Sequence, residues 1–352
     1  MKKAAALFFV LVFTLILSPI SEAQLNQEKE SAFVFYDIPT EHSFPGGIAV
    51  DSKGNVWFSE YRGNKIAMLN KAGVIREYET PTKDSNPYDI AVDSKDNIWF
   101  IEQNADQIGR FDPVSGRFSE YELPERKRDP SRIVIDKKDN IWFTEFAGNR
   151  IGSFQPKTKT FKEYDILTPM CQPVGIGVDK NGIIWFIEAQ GNKLGRLDPV
   201  SGKIKEYNIP YDFSAASELT IDKNGNIWFT SKRDFKLIKF ISSSETFKDF
   251  PLPSRGVVEG LTSDKNGMIW FSERYGRRIV RFNPTTAVFT EIDMPLKDIK
   301  LIDIVVDREG NVWFTEAANN KIGKIDVSKL SILKKDKDLS IQFTPPKDLL
   351  KQ

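Results

Sequence analysis

The stretch Ile48-Ala49-Val50-Asp51-Ser52-Lys53-Gly54-Asn55-Val56-Trp57-Phe58-Ser59 decides the fold. Ile48 to Val50 is a short apolar run. Val56 to Ser59 is a second run, built from β-branched and aromatic residues. Asp51 to Asn55 carries turn chemistry between them, so the stretch predicts a hairpin of strands a and b. The loop Tyr61-Arg62-Gly63-Asn64 leads to strand c, Lys65 to Leu69. Lys71-Ala72-Gly73 then turns the chain into strand d, Val74 to Glu79.

The unit recurs along the chain. All seven tryptophans occupy one position of it: Trp57, Trp99, Trp142, Trp185, Trp228, Trp270 and Trp313, spaced 42, 43, 43, 43, 42 and 43 residues apart, each followed by Phe. A constant period of this size with strand-like content predicts an all-β radial repeat, a seven-bladed β-propeller with four-stranded antiparallel blades. No stretch between 33 and 326 has a sustained helical period. The a–b turn returns at Asp136 to Asn140, Asp222 to Asn226 and Asp307 to Asn311, where Gly or Asn supplies positive φ. Asp222, Asn224 and Asn226 also resemble the start of a calcium loop. The positions where an EF-hand needs Gly and Glu hold Ile227 and Arg233, which favours a plain turn. Trp–Phe pairs repeated at strand centres point to packing between blades rather than sugar stacking.

Strand d usually ends acidic–aromatic–x–apolar–Pro, as in Glu120-Tyr121-Glu122-Leu123-Pro124, with the Pro 12 residues before the next turn Asp. Phe35-Tyr36-Asp37-Ile38-Pro39 fits this template, although no strands a to c precede it. It is therefore expected to be the outer strand of the last blade, closing the ring and removing an open edge. Ser340 to Pro345 competes for the slot and matches less well.

Residues 1–23 read as a secretory signal: Lys2 and Lys3, an apolar core from Ala4 to Leu17, and Ser21-Glu22-Ala23 as a small-x-small cleavage site. An uncleaved anchor is the alternative. The propeller is assigned to 24–326 and a tail to 327–352. No segment after the signal is long enough to span a membrane. Without residues 1–23 the chain has 48 basic and 48 acidic residues. This balance argues against nucleic-acid partners and leaves a small molecule or an extracellular protein, bound by a monomer. A single cysteine, Cys171, excludes an internal disulfide and a thiolate metal cluster.

Chemistry is expected where strand a starts and strand b ends, at one mouth of the central channel. Three residues after each Trp stand Glu60, Glu102, Glu145, Glu188, Ser231, Glu273 and Glu316. Asp89, Arg132, Glu218, Glu259 and Asp303 stand near the starts of strand a. Clustered carboxylates need protons, cations or donors, so a hard divalent cation such as Mg²⁺ or Ca²⁺ at one or two of these glutamates is the sharper reading. The bland reading is structural: each Glu pairs with the basic residue five positions on (Lys65, Arg150, Lys193, Arg278, Lys321) or accepts N–H bonds from its own loop. Departures from the repeat mark a site better than the repeat does. Tyr88, Asp89, Arg132, Glu218, Glu259 and Asp303, with Lys232 and Arg274, suggest a mouth of mixed charge for a polar or anionic ligand.

The units Gly-Ile-Ala-Val-Asp-x-x-Gly-Asn-Val-Trp-Phe-Ser-Glu and Gly-Asn-Arg-Ile-Gly resemble the streptogramin B lyase (virginiamycin B lyase) family, over residues 33–326. The resemblance, shared in appearance with NHL and gluconolactonase-like propellers, implies a seven-bladed propeller that opens a cyclic depsipeptide at its ester by elimination, with Mg²⁺. The positions of the two family histidines fall on Glu259 and Ile302, that of the assisting glutamate on Lys300, and that of the metal-serving glutamate on Glu316. The one histidine, His42, lies on another blade. The expectation is a secreted, non-lyase propeller that binds a ligand or protein at its mouth. The alternative is a metal-dependent lyase or lactone/ester hydrolase using Glu316 with Glu273, Glu259 or Asp303. A purely structural extracellular module is a third reading.

Overall fold

The computed structural model describes residues 31–211, 215–274 and 276–330. Among them the chain forms seven four-stranded antiparallel sheets. Blade 1 comprises Pro45–Val50, Val56–Glu60, Lys65–Leu69 and Ile75–Glu79 as strands a to d. The hairpins are those expected, except that strand a begins three residues earlier than the apolar run. Each strand a packs against that of the next blade, and that of blade 7 against that of blade 1, so the blades form a ring.

The last blade takes its fourth strand from the N-terminus. Phe33–Asp37 pairs antiparallel with Lys321–Ile325, Phe33 opposite Ile325 and Asp37 opposite Lys321. Tyr36 stacks on Trp313 at 6.1 Å, as Tyr78 does on Trp57 at 5.9 Å. The N-terminal strand thus fills the aromatic place that strand d fills elsewhere. Asn320 locks the joint: its amide donates to the Thr40 carbonyl at 2.8 Å and its side-chain oxygen accepts the Ser43 N–H at 3.0 Å. The signal at 1–23, the competing segment 340–345 and the tail beyond Leu330 lie outside the described residues. Leu330 itself is buried against the core of blade 7.

The tryptophans are buried between blades, and every indole N–H donates to the turn Asp six residues earlier. The distances are 3.0, 3.0, 3.1, 3.3, 2.9, 3.0 and 2.8 Å in blade order. A buried indole N–H needs such a partner. At Asp222 the carboxylate also accepts the Asn224 and Asn226 N–H groups, both at 2.9 Å, and the Asn226 amide. The carboxylate is committed to the turn and the tryptophan, in keeping with the plain-turn reading.

One irregularity shapes the inner face. In six blades the a–b pairing slips just after the start of strand a, between Pro45 and Ile48, Pro87 and Ile90, Pro130 and Ile133, Pro173 and Ile176, Val258 and Leu261, and Leu301 and Ile304. Such bulges re-aim side chains. The released pairs include Tyr88-Asp89, Ser131-Arg132, Glu259-Gly260 and Ile302-Asp303.

Candidate ligand site at the channel mouth

The second released residue of each of these six blades, and in blade 5 the equivalent Glu218 just before its strand Leu219–Ile221, form an inner ring of Gly47, Asp89, Arg132, Gly175, Glu218, Gly260 and Asp303. Arg132 is ion-paired with Glu218, lies 3.9 Å from Asp89, and places its guanidinium 5.1 Å from the Tyr88 ring centroid. Asp89 accepts the N–H of Ile90 and, across to blade 3, that of Ile133, both at 2.9 Å. Asp303 likewise accepts the N–H of Ile304 at 2.8 Å and, across to blade 1, that of Ile48 at 3.2 Å. These carboxylates staple neighbouring blades. Gly47 leaves room for one of them, because a Cβ there would lie 2.5 Å from Asp89 Oδ1.

Burial raises the Glu218 carboxyl to about 7 and that of Asp303 to about 6, against the pull of Arg132. Burial also lifts Asp89 above its ordinary value. Burial opposes charge on Arg132, but Glu218, Tyr88, Asp89 and Asp303 outweigh it and keep the guanidinium cationic. A proton can therefore enter or leave this ring near neutral pH while one fixed cation stays.

A cleft of about 240 Å³ opens beside the ring. Tyr88, Arg132, Glu218 and Glu259 line it together, whereas Asp89 and Asp303 belong to the inner ring and not to the cleft wall. Glu259 is paired with Arg274 at 2.9 Å and approaches Lys232 at 3.5 Å. Lys232 joins them, and Gln103, Asp129, Ser131, Phe146, Val174 and Ser217, which the sequence does not mark, complete the wall. Gln103, Phe146 and Lys232 each follow the last residue of strand b directly. The equivalent residues are Tyr61, Ala189, Arg274 and Ala317, so a variable column beside a near-constant one was the available signal.

The strand-b glutamates behave differently from the paired reading. All six are fully buried. Each tucks under its own b–c loop, so closely that a Cβ on Gly63 would sit 2.9 Å from Glu60 Oε2. The basic residues opposite them turn to strand d: Lys65 to Glu77 at 2.8 Å, Arg150 to Glu163 at 3.1 Å, Lys193 to Glu206 at 2.6 Å and Arg278 to Glu291 at 2.7 Å. The strand-d acids still touch water, and an ammonium drawn under the loop would lose its hydration. Burial first, and the strand-d acid next among the charges that raise it, lifts the carboxyls of Glu60 and Glu145 to about 8 and that of Glu188 to about 7. Burial, with Glu120 adding to it, raises Glu102 to about 8.

Glu273 Oε1 accepts the Ser254 hydroxyl. Glu316 has three backbone donors: Lys300 N–H at 2.7 Å and Ala318 N–H at 2.8 Å on Oε1, and Asn319 N–H at 2.7 Å on Oε2. Among the described residues no group of three His, Cys, Asp or Glu side chains is placed to hold a metal ion. A larger hollow of about 800 Å³ lies on the opposite face, between blades 3 and 4. Its carboxylates Asp136 and Asp179 are engaged by Trp142 and Trp185, and Asp198 by the Val200 N–H at 2.9 Å, so the chemistry gathers at the mouth.

No curated protein matches the chain. Among solved structures, a streptogramin B lyase is 30% identical, with a TM-score of 0.79, over 84% of this chain and 98% of that one. The selenomethionine-substituted virginiamycin B lyase from Staphylococcus aureus is 29% identical, with a TM-score of 0.78, over 83% of this chain and 98% of its own. A catalytically inactive histidine-to-alanine variant of the Staphylococcus aureus enzyme, with quinupristin, matches at 29% identity and a TM-score of 0.76, over 83% of this chain and 98% of its own. The virginiamycin B lyase family matches over residues 24–182 and 157–334, and the chain belongs to that family.

Proposed function

We propose that this chain is a ligand-binding member of the family that does not carry out the family's elimination. A general acid/base near neutral pH is most often histidine. The places where the resemblance puts the family's two histidines hold Glu259, bound to Arg274, and Ile302, which transfers no proton. His42 is exposed and lies in the loop before blade 1.

The observation that carries this reading is the setting of Glu316. Its two oxygens are engaged by three backbone N–H groups, and the first of these belongs to Lys300. A hard divalent cation takes several converging oxygen ligands, and among the described residues Glu316 belongs to no group of three His, Cys, Asp or Glu side chains that could hold one. Here a lysine side chain stands where the resemblance puts the assisting carboxylate. This donor set does not fit Mg²⁺ or Ca²⁺. Glu273 and Glu316 act as loop supports. The mouth residues Tyr88, Arg132, Glu218 and Glu259 bind the ligand, and Asp89 and Asp303 hold the ring that positions them. Rigid repeats with variable mouth loops suit such a role. The charged start, apolar core and small-x-small end of residues 1–23 support export of the protein.

The test is a thermal melt in EDTA, Mg²⁺ or Ca²⁺. An ion bound to the folded state at a hundred times its dissociation constant would stabilise by about 2.7 kcal/mol. The reading expects no ion-specific shift. A shift that Glu316→Gln abolishes would favour the metal-dependent lyase or hydrolase instead.

A further inference from the structure

Four cations stand around the blade 5 to blade 1 side of the mouth. Lys232 and Arg274 share Glu259. Arg62 and Lys300 have no carboxylate within ion-pair distance among the described residues, and instead share one aromatic ring. The Lys300 ammonium lies 4.6 Å, and the Arg62 guanidinium 5.1 Å, from the Phe44 centroid. A ring can offset part of a cation's charge but does not neutralise it.

The backbone of each participant is fixed. Tyr61 N–H donates to the Phe44 carbonyl at 3.1 Å and Arg62 N–H to the Ser43 carbonyl at 2.9 Å. Arg274 N–H donates to the Val257 carbonyl at 2.8 Å. Glu316 and Ala317 hold Lys300 by its N–H and carbonyl, at 2.7 and 2.9 Å. Phe44 has a φ of 54°, a conformation its counterparts in blades 2 and 3 reach as Asn86 and Asp129. A bulky residue there is costly, and here it places a ring under two cations. Burial, followed by Arg274 and Arg62, holds the Lys300 ammonium below its ordinary value, and Glu259 only partly offsets them. The side chains repel one another in a fixed frame, and an entering anion would relieve that repulsion.

We propose that Arg62 and Lys300, both set over the Phe44 ring, form with Arg274 a subsite for an oxyanion group, carboxylate or phosphate, of the ligand that enters the mouth. The subsite deepens the ligand-binding reading and rests on it. Arg274 and Arg62 supply planar donor forks, Lys300 a point charge, and Phe44 an apolar floor for the group that carries the anion.

Calorimetric titration of the full chain with sodium phosphate and with sodium benzoate, at ionic strength fixed with sodium chloride, tests this. Saturable binding of either anion is expected, and the tighter one identifies the phosphoryl or the carboxylate source. Lys300→Met keeps the backbone bond to Glu316, and Arg62→Gln alters an exposed side chain. Each should weaken binding about tenfold, the scale of one charge-assisted contact. Glu259→Gln, which removes the competing carboxylate, should tighten it, a direction that mere loosening of the loop would not give. Binding of neither anion above chloride, or binding unchanged in both Lys300→Met and Arg62→Gln, overturns the subsite. If Lys232→Met alone abolishes binding, the anion sits in the cleft: the subsite is wrong and the ligand-binding reading stands. Opening of a streptogramin B ring by the native protein would instead overturn the reading beneath it.

Discussion

Glu316 Oε1 accepts the backbone N–H of Lys300 at 2.7 Å. The glutamate that the resemblance aligns with a metal-serving residue here anchors a lysine, and the lysine stands where the resemblance puts an assisting carboxylate. Glu316→Gln should therefore destabilise the protein whether or not a divalent ion is present. A glutamine amide offers one acceptor oxygen and turns an N–H₂ toward a donor, so the loss should be about 2 kcal/mol. Urea unfolding in EDTA and in Mg²⁺ measures it. A loss confined to the Mg²⁺ sample would contradict the structural role.

The link between Asp222 and Trp228 gives a second expectation. Burial pushes the Asp222 carboxyl up, but the indole N–H, the Asn226 amide and the turn N–H groups outweigh it and hold it below its ordinary value. Asp222→Ala orphans a buried indole donor and the turn together. It should cost about 3 kcal/mol in urea unfolding. An unchanged midpoint would mean that the link adds nothing beyond the packing of Trp228.

Ring closure predicts the effect of removing residues 24–39. That deletion takes away the outer strand of blade 7, the Tyr36–Trp313 stack and the Ile38 backbone groups that bond Asn320, and it exposes the Lys321–Ile325 edge. The truncated protein should melt at lower temperature and associate through the open edge, as scattering during the melt would record. A truncated protein that melts at the parent temperature would refute the closure.

The buried carboxyls set the pH dependence. Glu60, Glu102 and Glu145 titrate at about 8 in the folded chain, against an unfolded value of 4.5. The folded state binds more protons between those values. Their stabilising contribution is complete below the unfolded value and is lost as pH rises through about 8. The protein should unfold at higher urea at pH 5 than at pH 8.5. Glu102→Gln, which mimics the protonated carboxyl, should flatten this dependence and exceed the native protein at pH 8.5 by roughly 1 kcal/mol. Equal midpoints at both pH values in native protein and variant would contradict the assignment.

The sequence shows the ring because the Trp–Phe column and the turn Asp repeat with the blades, and Phe35 to Pro39 carries the strand-d pattern without a blade of its own. Tyr88, Arg132, Glu218 and Glu259 were legible as departures from the repeat, and they meet at one cleft. The pairing of Lys65 with Glu77 rather than Glu60 was not legible, since both acids lie in reach of one lysine and only burial decides between them. Nor was the bulge at Tyr88-Asp89, because a slip in pairing leaves no mark in the alternation of side chains. It separates Asp89 from the cleft that Tyr88 lines. Gln103 and Phe146 carry no mark in the sequence, because single uncharged residues in a loop column resemble any other until the fold places them on one wall.

The most direct measurement incubates the purified protein with a streptogramin B in Mg²⁺ and follows the cyclic depsipeptide by chromatography. Elimination at the ester leaves the mass unchanged, so separation of ring from linear product is the readout. An intact ring is expected over times in which an active family enzyme consumes it. Ring opening that EDTA abolishes would contradict the binding role and restore a metal-dependent lyase at this mouth.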